Sequence, residues 1–344
     1  MNDAPETGAI PPQKATAEAA WDAYWRHGGA PGHALADTAK GEVLDHFWSE
    51  ALASAFAAHT PRKVADLACG GGAVAALVAK YASSAGRAPD ALLCVDWSAV
   101  AASAAARRLA GAARPVAADL AALPLAAGAL DLVVSQYGLE YAGESAFLEA
   151  ARVLAPGGAF IALVHDSEGG VAAECRLTHW LFEEAVECSV IASARAVFAA
   201  GFEADHAPDR QERQTELANA ERRLHPAMKR FEALVARQND TTAMQFLRQV
   251  HRDLRIMLAR RRAYAPQDVL DWLGKIENEM TTYQDRMASM LKAARSAPQI
   301  DEIAAIFRKA GCVVEPPRRV FAGPGGASIG WAVGARRARD TSPA

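Results

Sequence analysis

Cysteine is the first shortage. Only five occur, Cys69, Cys94, Cys175, Cys188 and Cys312, an odd number without C-x-x-C spacing, so neither a disulfide framework nor a zinc site is indicated. No metal ligands are assigned. A surplus of charge of one sign is missing too, since the formal net charge is −3. That argues against nucleic-acid binding through bulk electrostatics, and no strands carry the aromatic pattern of an RNA reader. No apolar run approaches the length of a membrane span, and the N-terminus lacks the basic-then-apolar pattern of a signal peptide. A cytoplasmic protein without a membrane span is therefore expected. No internal repeat marks a solenoid. Aromatic residues make up only 7% of the chain, so their gathering at Trp21, Tyr24, Trp25, Phe47 and Trp48 stands out.

What the chain does have is a nucleotide cradle. Lys63-Val-Ala-Asp-Leu-Ala-Cys-Gly-Gly-Gly-Ala-Val-Ala75 reads as an apolar strand, a glycine-rich turn and the start of a helix. Glycine admits backbone angles that a β-carbon penalises and lets a ligand approach the main chain, while the helix N-terminus offers unpaired N–H groups. Beyond it, short strand-like runs (Val64–Ala68, Leu92–Asp96, Pro115–Ala118, Leu130–Ser135, Ala159–Val164) alternate with helical ones. Alternation predicts a doubly wound α/β fold with a mostly parallel sheet, whose ligand lies beyond the carboxyl ends of the strands. Gly70-x-Gly72-x-x-Ala75 also satisfies the dinucleotide spacing, with Asp96 where a ribose-binding acid is expected. On the turn alone an NAD(P)-dependent oxidoreductase stays open.

The wider pattern resembles the class I S-adenosylmethionine-dependent methyltransferases. Asp66-Leu-Ala-Cys-Gly-Gly-Gly is similar to their D-x-[GA]-x-G-x-G signature. Val95-Asp96-Trp97-Ser98, Ala118-Asp119-Leu120, Asp131-Leu-Val-Val-Ser-Gln136 and Arg152-Val-Leu-Ala-Pro-Gly-Gly158 follow in the family's order. The resemblance implies a seven-stranded sheet and S-adenosyl-L-methionine as cofactor, held by Asp66, Ala68, Cys69, Gly70, Gly72, Asp96, Trp97, Asp119, Leu120, Ser135 and Gln136. Asp96 would take the ribose hydroxyls, Asp119 the adenine amino group, the Leu120 amide a ring nitrogen, Trp97 the adenine face and Asp66 the methionine amino end. Ala68 departs from the glycine many members carry there. Cys69 is read as a small packed residue and not a nucleophile.

Methyl transfer needs alignment and exclusion of water more than side-chain chemistry. Candidates for the acceptor side are Tyr137, Glu140 and Tyr141 after the fourth strand, and His165 and Asp166 after the fifth; of these His165, Tyr137 and Glu140 are the catalytic choices, with His165 able to accept a proton near neutral pH. The expected organisation is a flexible N-terminus and aromatic lid (1–60), a cofactor-binding core (61–168), a large helical insertion after the fifth strand (169–298) and a closing helix with an antiparallel strand pair (299–336). Rings in the first segment would either fold over the cofactor or merely pin helices to the core. The insertion would cap the substrate cleft, form a homodimer or bind another partner; arginines at 248, 252, 255 and 260–262 offer a basic patch for an acidic acceptor. The expected activity is methyl transfer to O or N of a small-molecule acceptor. The rival readings are the oxidoreductase and a non-catalytic partner protein that keeps the fold.

Overall fold

A computed structural model describes residues 21, 22, 24–26, 38–58, 60–206 and 210–339. Of the segment 1–60, expected to hold a flexible N-terminus and an aromatic lid, residues 1–20, 23, 27–37 and 59 lie outside them. By contacts the chain divides into two compact units, residues 1–175 with 289–344, and residues 176–288.

The first unit is built on a sheet of β1 (Lys63–Leu67), β2 (Ala91–Asp96), β3 (Arg114–Ala117), β4 (Leu130–Gln136), β5 (Leu154–Val164), β6 (Cys312–Val314), β7 (Arg318–Phe321) and β8 (Ser328–Arg337). The order is β3-β2-β1-β4-β5-β8-β6, with β7 also paired to β8. β1 to β5 are parallel, and β8 runs antiparallel to β5, β6 and β7. The doubly wound fold is as expected. Among the described residues the strand count is eight, not seven, because the run Cys312–Phe321 is split at Glu315-Pro316-Pro317. Proline has no N–H to give the ladder, so pairing with β8 stops and restarts.

Alternate strand residues serve opposite faces. Ala65, Leu67, Val133 and Phe160 pack with Phe147 and Phe307 beneath α4 (Glu144–Val153) and α10 (Ala297–Lys309). Val64, Leu132 and Val134 pack with Trp48, Leu52, Val78 and Ala105, from α1 (Thr38–Ala58), α2 (Ala73–Ser84) and α3 (Ala99–Arg108). Covering both faces is what makes these strands near-continuously apolar. Caps set the helix starts: Ser98 Oγ accepts from Ala101 N at 3.3 Å, and Ser296 with Gln299 forms a capping box.

The helical stretch comprises α5 (Gly170–Glu187), α6 (Val190–His206), α7 (Arg210–Val235), α8 (Thr242–Ala259) and α9 (Pro266–Ala293), and the second unit takes in most of it. Leu224, Phe231, Val235, Leu247, Val250, Leu254, Leu273, Ile276 and Met280 meet in one core, so the helical-period stripes are packing stripes. By length and composition the stretch Gly170–Asp205 is apolar enough to cross a membrane, with a window of mean hydropathy 1.4, against the expectation that no run approaches that. Two helices joined at Ser189 (φ +55°) make up this stretch, and Phe182, Val190, Ala194 and Phe198 from it line the helical core. Part of the basic patch is engaged inside the unit, while Arg252, Arg255, Arg260 and Arg262 are exposed. Arg248 donates to the carbonyls of Val235 and Arg237 at the end of α7, and Arg261 and Arg262 lie 3.4 and 2.9 Å from Asp205. Such pairs hold helix ends in place.

Candidate functional site

The carboxyl ends of β1, β2, β4 and β5 bring two groups of residues to one edge of the sheet. The first is the turn after β1, where Ala68, Gly70 and Gly72 have φ of +56°, +49° and +74°. Gly72 has no alternative: a β-carbon there would lie 2.8 Å from that of Ala105. Asp96 fastens the turn. Its Oδ2 accepts from Gly70 N at 2.9 Å and its Oδ1 from Ser98 N at 3.0 Å. Asp66 Oδ2 accepts from Ala75 N at 2.9 Å, meeting one of the free N–H groups of α2. Both acids are buried, at 1% exposure for Asp66 and 6% for Asp96. Burial raises both carboxyls, that of Asp66 to about 7 against the pull of the Ala75 N–H. The Cys94 thiol alongside and burial push Cys69 up as well, so it is an inert packed thiol.

The other expected cofactor contacts divide. Trp97 is 42% exposed at the sheet edge, and Leu120 is buried in the core. Asp119 is exposed, with Oδ1 accepting from Ala121 N at 2.9 Å. Ser135 donates to the Leu67 carbonyl, and Gln136 Oε1 accepts from Trp48 Nε1 at 2.5 Å, so that hydroxyl and that amide oxygen are already engaged within the fold.

The second group follows β4 and β5. Glu140 lies in a 3-10 turn, Leu139–Ala142, and is 1% exposed. Its Oε1 accepts from His165 N at 2.9 Å and lies 2.7 Å from His165 Nδ1. Tyr137, at φ +53°, lays its ring against the His165 ring with centroids 4.4 Å apart, and its hydroxyl donates to the Ile329 carbonyl at 2.8 Å. Burial, with the Glu140 charge nearby, pushes the Tyr137 hydroxyl up. Tyr141 meets His165 edge-on at 5.9 Å. Asp166 is turned away into an ion pair with Arg319 at 2.9 Å.

A short helical segment, residues 21, 22 and 24–26, covers both groups. Trp25 lies against the turn so closely that a β-carbon on Gly70 would sit 2.6 Å from its ring. Asp22 accepts from Ser98 Oγ at 2.8 Å, and Trp21 meets Tyr141 edge-on at 5.6 Å. The sequence flagged these rings by their clustering but gave no contact for any of them. The approach that glycine leaves open at residue 70 is thus taken by an indole that has to move for a ligand. The cradle, two buried acids and backbone N–H groups otherwise fit an adenosyl cofactor.

Residues 65–162 match a family described as "Methyltransferase domain". No curated protein matches the sequence. Among solved structures, the complex between the Haloferax volcanii Trm112 methyltransferase activator and a methyltransferase aligns over 93% of this chain and 97% of that one, at 14% identity and TM-score 0.41. Phosphoethanolamine N-methyltransferase 1 of Haemonchus contortus, solved with phosphoethanolamine and S-adenosylhomocysteine, aligns over 46% and 34%, at 17% identity and TM-score 0.33. The CMeT domain of the citrinin polyketide synthase aligns over 31% and 29%, at 15% identity and TM-score 0.28, so the chain spans less than a third of that protein. With such TM-scores the neighbours carry no weight, and the fold assignment stands on strand order and the family match.

Proposed function

Because the chain belongs, through residues 65–162, to the class I S-adenosylmethionine-dependent methyltransferases, we propose that it transfers a methyl group to O or N of a small-molecule acceptor. The observation that carries this is the turn itself, pinned by Asp96 through Gly70 N and by Asp66 through Ala75 N at the carboxyl ends of parallel strands. When bound, S-adenosylmethionine supplies a methyl group activated by its sulfonium. Gly70, Gly72, Asp66, Ala68 and Cys69 would line the turn side of it, Asp96 and Trp97 the ribose and adenine side, and Asp119, Leu120, Ser135 and Gln136 the rest.

Glu140 sets the acceptor side. Glu140 Oε1, 2.7 Å from Nδ1, favours the His165 tautomer with its N–H there, leaving Nε2 as the acceptor nitrogen of the ring. Tyr137 positions that ring instead of trading a proton, since its hydroxyl is engaged and raised. Trp21 and Trp25, once resettled over a bound ligand, would keep water out and so strengthen the charge interactions beneath them.

Calorimetric titration tests the reading. S-adenosylhomocysteine is expected to bind and NADH not to; the reverse pattern rejects the methyltransferase in favour of the oxidoreductase. A chain that binds the cofactor product yet methylates nothing in a host extract supplied with labelled cofactor is the non-catalytic alternative.

A further inference from the structure

Arg295 follows α9 by two residues and touches both halves of the Glu140–His165 pair. Its main chain lies beside the end of β5 as one residue of parallel ladder: Arg295 N donates to the His165 carbonyl at 2.8 Å, Ser167 N donates to the Arg295 carbonyl at 3.0 Å, and Asp166 is the bridged residue between them. Its side chain reaches the 3-10 turn Leu139–Ala142. Nη2 donates to the Glu140 carbonyl at 2.7 Å, and Nη1 to the Lys292 carbonyl in the last turn of α9 at 3.3 Å. One residue thus holds His165 through its backbone and Glu140 through its guanidinium.

The pair depends on that hold. Glu140 Oε1 meets His165 N at 2.9 Å and His165 Nδ1 at 2.7 Å, and both contacts are delivered by a turn of four residues. Turns of this kind have poor internal hydrogen bonds, and here the Glu140 carbonyl receives only a 3.3 Å bond from Gly143 N within its own loop. The bond from Arg295 is shorter and charge-assisted, a class roughly twice as strong as neutral ones. A drift of the turn by about 1 Å would carry Oε1 beyond hydrogen-bond reach of Nδ1. An arginine serving structure alone commonly pairs with an acid. Among the described residues the Arg295 guanidinium instead gives its bonds to two main-chain carbonyls, one of them that of Glu140.

We propose that Arg295 is a positioning residue for methyl transfer: by holding the Glu140 turn against the end of β5, it keeps the N–H of His165 on Nδ1 and leaves Nε2 as the acceptor nitrogen. This rests on the methyltransferase reading above. Arg295 acts through Glu140 and not on the acceptor itself. Its main-chain bonds to His165 and Ser167 are available to any side chain at this position except proline, so substitution isolates the guanidinium.

The test is 15N NMR of the full-length protein labelled at histidine, at about pH 8.5, where an ordinary imidazole is neutral. Nine histidines contribute, so the His165 signals are identified as those lost in His165→Asn. The unaltered protein is expected to show His165 protonated on Nδ1. Arg295→Ala is expected to convert that signature to the Nε2-protonated form or to an average of the two, and Arg295→Lys, which restores a charged donor, to recover most of it. Arg319→Ala removes the neighbouring ion pair to Asp166 and is expected to lower the melting temperature while leaving the His165 signature in place. An equal change in both alanine variants would mean a general loosening of the strand end and overturn the proposal. S-adenosylhomocysteine affinity, read by calorimetry on the same samples, is expected to stay within about twofold in Arg295→Ala, whose contacts lie away from the glycine turn. If the unaltered protein binds no S-adenosylhomocysteine, the methyltransferase reading falls and the role in that reaction with it. If it binds, but His165 carries its proton on Nε2 from the outset or keeps its signature in Arg295→Ala, the positioning role alone is overturned. Should Arg295→Ala fail to fold, Arg295→Gln, shorter and uncharged, gives the same readout with the same two outcomes.

Discussion

Single atoms explain several choices in the turn. Ala68 occupies the left-handed region, and its β-carbon lies where one on Gly138 would come within 2.2 Å. Glycine at 138 is thus the complement of alanine at 68. Gly138→Ala is expected to destabilise by about 1–3 kcal/mol in a thermal or urea melt, and Ala68→Gly in the same chain to restore most of it. Additive losses would show that the two positions do not touch. Asp96→Ala leaves two buried N–H groups without an acceptor and should weaken S-adenosylhomocysteine binding by about 1–3 kcal/mol; an unchanged dissociation constant would take Asp96 out of the site. Asp66 brings a pH dependence. Its folded value near 7 exceeds the unfolded value of about 4, so folding takes up a proton between them, and this contribution lowers stability as pH rises through that window before levelling off. A cationic ligand favours the ionised carboxylate. Cofactor binding at about pH 6 should therefore release a proton and tighten toward about pH 7. Calorimetry in buffers of different ionisation enthalpy reads this directly, and a proton count of zero would separate Asp66 from the ligand's charge.

At the level of elements, the segment bearing Trp21 and Trp25 governs access. Trp25→Ala should speed S-adenosylhomocysteine association in stopped flow, because the closed arrangement fills the approach to Gly70. A slower or unaltered rate would mean the indole does not gate the turn. Much at this scale was legible in the sequence. The strands read out because buried parallel strands are continuous apolar runs, and the turn because a glycine triplet between strand and helix permits backbone angles that bulkier residues resist. Less legible were contacts between residues far apart in the chain. Nothing local in Trp25 indicates that it reaches Gly70, and nothing in Ser135 or Gln136 indicates that Leu67 and Trp48 claim their polar ends. The same holds for Glu140 and His165, which the sequence named separately and the fold joins at 2.7 Å.

Across the whole molecule, the second unit has a core of its own, from Phe182 and Phe198 through Leu254 to Met280. Residues 176–288 produced alone are expected to be helical by circular dichroism and to melt cooperatively; a gradual, featureless melt would show that this core depends on the rest of the chain. The first unit is arranged differently in time. β8 closes it by pairing with β5, β6 and β7 at once, and its first residue lies more than 160 positions beyond the end of β5. During synthesis the helices of residues 176–288 emerge in between, so β5 waits with a bare ladder edge for many seconds at ordinary elongation rates. A nascent chain halted before residue 328 would leave that edge of β5 unpaired, an exposure that pairing with β8 removes in the finished fold.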